Sequence, residues 1–163
     1  MHITESTERR IKFIVKIVAF ALYLSVSAYG LFFAEALGRD GSRIPGYNLI
    51  PFHEIGRYIR YADQLGMGIV LMNLLGNILL FVPFGFLVPL FWRKEEHHPL
   101  IIILMGCLFS AVVEVIQLQT GLGSCDVDDV ILNTLGTVLG YLLFRLGNLI
   151  YRRIKYGEQK TSA

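Results

Sequence analysis

Apolar side chains run through this chain in four long blocks separated by short polar stretches. Ile17 to Ala34 is uncharged between Lys16 and Glu35, and Gly66 to Trp92 carries no charge at all. The third block, Pro99 to Gln119, is interrupted only by Glu114. The fourth begins at Asp126 and runs to about Tyr151, with Arg145 near enough to its end for the long side chain to reach the interface. Each block is close to or beyond the roughly 20 residues that a helix needs to cross a bilayer. The pattern predicts an all-α polytopic membrane protein. Its single domain over residues 1–163 is a four-transmembrane-helix bundle, with helices over about 13–37, 66–92, 99–119 and 126–151. An extracytoplasmic loop joins the first helix to the second. Pro83 and Pro89 predict a kink toward the far end of the second helix.

Polar residues inside the blocks recur at helical spacing. Asn73 and Asn77 are four apart; Gly106, Ser110, Glu114 and Gln117 follow a 4-4-3 course; Asp126, Asp129, Asn133, Gly136 and Gly140 follow 3-4-3-4. Each series lies along one helix face. An aspartate turned toward hydrocarbon costs roughly 2.5–3.5 kcal/mol, so these faces are expected to turn inward, and the glycines let helices approach closely. Asp128 falls off this face and is expected to be solvated. For Asp126 and Asp129, capping of the fourth helix and attraction to its dipole form the bland alternative to a site. For Asn73, Asn77 and Asn133 that alternative is interhelical hydrogen bonding. Glu114, a carboxylate one or two turns below the interface, is a functional candidate by default.

Composition agrees with the pattern. The 163 residues are 54% hydrophobic and 17% charged, and the net charge of +2 is too small and scattered for nucleic-acid binding. Cys107 and Cys125 are expected to be free thiols. Charge then sets orientation. With both termini cytoplasmic, the inner side holds Arg9, Arg10, Lys12, Lys16, Arg93, Lys94, Arg145, Arg152, Arg153, Lys155 and Lys160, against Arg39, Arg43, Arg57 and Arg60 outside. The positive-inside rule favours that arrangement. Ala34-Glu35-Ala36 imitates a signal-cleavage site, but the first apolar stretch exceeds the roughly 7–15 residues of a signal core, so a retained helix is expected. At about 1.5 Å per residue, Asn73, Asn77, Glu114, Gln117, Asp129 and Asn133 all fall in the outer half of the membrane. The expectation is an outward-open polar pocket between helices two, three and four.

Four stretches also match a known pattern. NLIPF at Asn48 to Phe52, NLLGNILLFVPFGFLVPL at Asn73 to Leu90, EVIQ at Glu114 to Gln117 and DVDDVILNTLG at Asp126 to Gly136 together resemble the VanZ-like family of small bacterial membrane proteins. The resemblance covers roughly Asn48 to Tyr141. It implies a multi-pass protein of the cell membrane, in a family named for a member associated with low-level resistance to the lipoglycopeptide teicoplanin, and it implies no known reaction. Many members carry an arginine shortly before the first aspartate of the last motif. Gly123 stands here instead, which removes an arginine–carboxylate pair at that point.

Three roles follow as expectations. In the first, Asn48, Asn73, Asn77, Glu114, Gln117, Asp126, Asp129, Asn133, Arg57 and Arg60 bind an envelope lipid, a lipid-linked cell-wall precursor or a lipoglycopeptide, with the two arginines meeting an anionic group. In the second, a membrane-embedded enzyme uses Glu114 and Asp129 as acid and base or as ligands of a divalent ion, with His53 and Glu54 contributing from the loop. In the third, the chain is a transporter or assembly partner, and four helices would then require a homo-oligomer. No Gly-rich phosphate cradle and no paired histidines at metal spacing occur, so no cofactor or metal is expected. His97 and His98, beside Glu95 and Glu96, read as solvated-loop residues.

Overall fold

The computed structural model describes residues 5–38, 46–92 and 98–161. Arg39 and Arg43, Arg93 and Lys94, and the Glu95–Glu96–His97 stretch lie outside the described residues.

Long apolar runs become long helices because every backbone polar group must be satisfied within the segment when water is absent. Helix α1 spans Glu5–Gly38. Strand β1 (Tyr47–Asn48) follows, then two short helices, α2 (His53–Arg60) and α3 (Ala62–Leu65), that lead into α4 (Met67–Leu87). Pro83 is accommodated inside α4, and Pro89 sits in the first turn of a 3-10 helix, Val88–Phe91, that finishes this span. Helix α5 covers Pro99–Thr120, strand β2 Cys125–Asp126, and α6 Val127–Thr161. Among the described residues, four stretches, Ser6–Leu31, Met67–Phe91, Pro99–Thr120 and Val127–Lys155, are long and apolar enough to cross a membrane. The chain is an all-α polytopic bundle. Relative to the sequence pattern, α1 starts earlier, at Glu5, and α6 continues to Thr161 because Arg152 to Lys160 favour helix as readily as the span itself.

The core of the bundle is a parallel pairing of α4 with α6. A Cβ placed on Gly136 would stand 2.1 Å from the Ile78 carbonyl oxygen, and one on Gly140 would stand 1.9 Å from that of Val82. Reciprocally, a Cβ on Gly85 would meet the Thr137 carbonyl at 2.0 Å. The two backbones therefore touch directly, which only glycine permits. Helix α5 joins through Gly106, which packs on the Thr137 side chain.

Helix α1 lies against α4 through Gly30 on Leu80 and through Tyr23, which packs with Phe84, Val88, Ile102 and Tyr141. Phe84 stacks on Phe109 with centroids 5.1 Å apart and planes 6° from parallel. At the opposite end from β1, Lys16 donates from Nζ to the Leu90 carbonyl, a cation placed at the C-terminal end of the α4 span.

Candidate functional site

The sequence DVDD places three carboxylates at the head of α6, and each meets a different element. Asp126 lies one residue before the helix. Its Oδ1 accepts the Asp128 backbone N–H at 2.9 Å, capping α6, and accepts the Asn48 side-chain amide at 3.1 Å. The Asn48 Oδ1 meanwhile accepts the Ile50 N–H at 3.1 Å, folding NLIPF into a tight turn. Strands β1 and β2 pair in parallel alongside, with Tyr47 opposite Cys125 and Asn48 opposite Asp126, and the Cys125 N–H donates to the Gly46 carbonyl at 3.1 Å.

Asp128 corrects the sequence expectation. Rather than being solvated it is 1% exposed. Its two oxygens accept the backbone N–H groups of Phe52 and Ile55, the latter at 3.0 Å. These are the leading donors of α2, whose own N-cap position is Phe52, a left-handed residue (φ 64°) with no side-chain cap. A carboxylate from α6 thus supplies the cap that the local sequence lacks. The off-face position of Asp128 on the α6 wheel is the direction in which the loop docks, not a solvent-facing one.

Asp129 points to α4, where the Asn77 side-chain amide donates to its Oδ1. Below this ring, Glu114 on α5 is 2% exposed and its Oε2 accepts the Asp126 N–H at 2.9 Å. One turn deeper, the Asn133 amide donates to Ser110 Oγ at 2.8 Å, and Thr137 donates to the Asn133 carbonyl at 3.1 Å. The Asn133 Oδ1 is buried without a partner. Gln117 turns the other way and donates to the Leu31 carbonyl of α1 at 2.9 Å. Thr137, absent from the sequence-derived series, belongs to this layer, and its position three residues after Thr134 on an apolar helix gave little signal.

Two further expectations change. Asn73 is exposed, and its amide donates to the Ile69 carbonyl of its own helix. Asn77 already meets the first turn of α6, so at the level of Asn73, one turn higher, that helix has not begun. Nor do Glu114, Gln117 and Asn133 line an open cavity: all three are buried in a packed network. Asp129, Asn77 and Asn48 are only partly buried and form its accessible rim. Arg57 is not a free cation, since its guanidinium pairs with Glu54 and lies over the Tyr58 ring, 4.8 Å from the centroid. Arg60 is exposed. His53 Nδ1 stands 3.3 Å from Glu54.

Burial shapes the electrostatics of this end. It holds the Asp126 carboxyl above the ordinary carboxylate range; hydrogen bonds from Asp128 N–H and Asn48 oppose the rise, and the nearby Asp128 and Glu54 charges add to it. The Cys125 thiol is raised by burial first and then by the Glu114 and Asp126 charges, so it is a poor nucleophile. Cys107 and Cys125 are both free. Gly123 is buried, and a Cβ there would stand 2.5 Å from Gln117 Cβ, so an arginine at this position would have to displace the Gln117 side chain.

A membrane protein of four spanning helices, with its polar groups gathered at one end of the bundle, is the class these observations define. The chain belongs to the VanZ/LLP1 family, whose match runs over residues 20–150. Among curated proteins, Protein VanZ of Enterococcus faecium is 30% identical over 101 residues, which is 62% of this chain and 53% of that protein. The aligned part is thus about half the length of that relative. No solved structure matches.

Proposed function

We propose that this chain resides in the cell membrane with both termini cytoplasmic, and that its polar cluster faces outward. There it binds the headgroup of an envelope lipid, a lipid-linked cell-wall precursor or the drug itself, contributing to glycopeptide and lipoglycopeptide resistance of the teicoplanin type. The observation that carries this reading is the Asp129–Asn77 pair. A carboxylate and an amide stand partly exposed at the rim, while the neighbouring carboxylates of Glu114, Asp126 and Asp128 are buried and accept backbone N–H groups. In this arrangement Asp129 and Asn77 contact ligand, and Glu114 positions the head of α6.

Replacing Asp129 by asparagine keeps the shape and removes the charge. A hydrogen bond to a charged group contributes about 1.5–3 kcal/mol, so ligand affinity should fall roughly tenfold or more. Cells expressing Asp129→Asn should lose most of their protection against teicoplanin at unchanged membrane levels of the protein. Full protection in both the Asp129→Asn and Glu114→Gln variants would reduce the cluster to structural support. A chemically altered lipid pool in wild-type membranes, absent with Asp129→Asn, would select catalysis over binding. Orientation is read by replacing both native cysteines and labelling Ser124→Cys, which should react from outside intact cells, whereas Ser6→Cys should not.

A further inference from the structure

The apolar side of α2 is only partly covered by the protein. Phe52, Ile55 and Ile59, spaced three and four apart, lie on one side; His53, Glu54, Arg57 and Arg60 lie on the other. On a helix resting against a protein in water, the apolar side turns to the protein and the ionic side to solvent. Here Ile59 is 65% exposed and Phe52, at the N-cap, 64%, with Ile55 half-buried between them; on the ionic side the Glu54–Arg57 pair is only 24% and 28% exposed, while His53 and Arg60 at the two ends are exposed. The turn before the helix repeats the arrangement, with Tyr47, Leu49 and Ile50 all exposed. Contiguous apolar surface of this kind marks an interaction face.

Its position identifies the partner. Asn48 and the Phe52–Ile55 backbone are bonded to the head of α6, and α3 leads into α4 with no intervening loop, so the segment is held at the level where the spans begin. Exposed apolar side chains continue from Ile59 into Met67, Ile69 and Met72 on the outer surface of α4. A surface continuous with the lipid-facing side of a spanning helix meets the same lipid.

We propose that residues 47–60 are seated in the leaflet at this end of the bundle. Leu49, Ile50, Phe52 and Ile59 enter the acyl boundary, while Arg57 and Arg60 stand at the depth of the phospholipid phosphates. The partner is the phospholipid leaflet, and the seat is independent of what the polar cluster binds.

The test uses the full chain in phosphatidylcholine vesicles. The native Trp92, at the other end of α4, is replaced by phenylalanine, and a single tryptophan is introduced as Phe52→Trp or, separately, Ile59→Trp, with the loop variant Ser124→Trp as an aqueous reference. Emission from the first two should be blue-shifted against the reference, quenched by lipids brominated high on the acyl chain and shielded from iodide. Iodide quenching equal to the reference, with none from brominated lipid, overturns the seat. So does protection from both quenchers, which would assign the patch to protein packing, as against a second copy. Two introduced positions keep the answer readable if one variant fails to fold.

Discussion

Asp128 shows how much one side chain can hold. It accepts two backbone N–H groups from a helix that begins more than seventy positions earlier in the chain. Asparagine at 128 offers one acceptor oxygen instead of two, so Asp128→Asn should cost about 0.5–2 kcal/mol, the range for losing a helix cap. Thermal unfolding in detergent reads that loss, and faster proteolysis between Tyr47 and Leu65 locates it. Asp126 gives the pH dependence. Its carboxyl is raised in the folded protein, so the folded state holds the proton more tightly than the unfolded chain does. The stability it contributes is therefore fully present below the ordinary carboxylate range and is lost as pH rises through the raised value. Asp126→Asn keeps an acceptor for Asn48 and cannot ionise. The variant's melting temperature should gain on the wild type as pH climbs from about 4 upward. A constant difference would show that Asp126 titrates as an ordinary exposed carboxylate.

Helices were the most readable elements, because hydropathy over twenty residues reports burial in lipid whatever the neighbours are. Spacing also identified the inward faces of α5 and α6, from Gly106 to Gln117 and from Asp126 to Gly140. It could not supply level. Asn73 and Asn77 share a face, yet only Asn77 meets α6, since the height at which a neighbouring helix begins is set by tertiary docking. The cap that Asp128 gives α2 was hidden for the same reason. The glycines of α6 were legible as contact points but not their partners, which are carbonyls rather than side chains. Gly136→Ala and Gly140→Ala should each lower stability by about 1–3 kcal/mol, the usual cost of overpacking. Gly147, whose Cβ would meet nothing within 4 Å, is the internal comparison: Gly147→Ala should be neutral or stabilising by up to about 1 kcal/mol. Equal melting temperatures for all three would refute the backbone contact.

At the scale of the whole molecule, the short β1–β2 pairing ties the first loop to the start of the last helix. Tyr47 faces Cys125 across that pairing, within the backbone separation that a disulfide spans. With Cys107 replaced by alanine, Tyr47→Cys should oxidise to an internal crosslink with Cys125, seen as a faster-migrating band without reductant and a higher melting temperature. Failure to crosslink under oxidant would mean that the loop does not rest where β1 puts it. The same scale exposes an asymmetry among the four spans. Between α4 and α6 carbonyl oxygens rest on glycine α-carbons, so no side chain can rotate to let one helix slip past the other. That pair is a stiff spine, and α5 is pinned to it at Gly106 and Ser110. The first helix is the least enclosed of the four. Of the four spans α1 therefore has the least protein packing to hold it, and the lipid around the bundle supplies most of its surroundings.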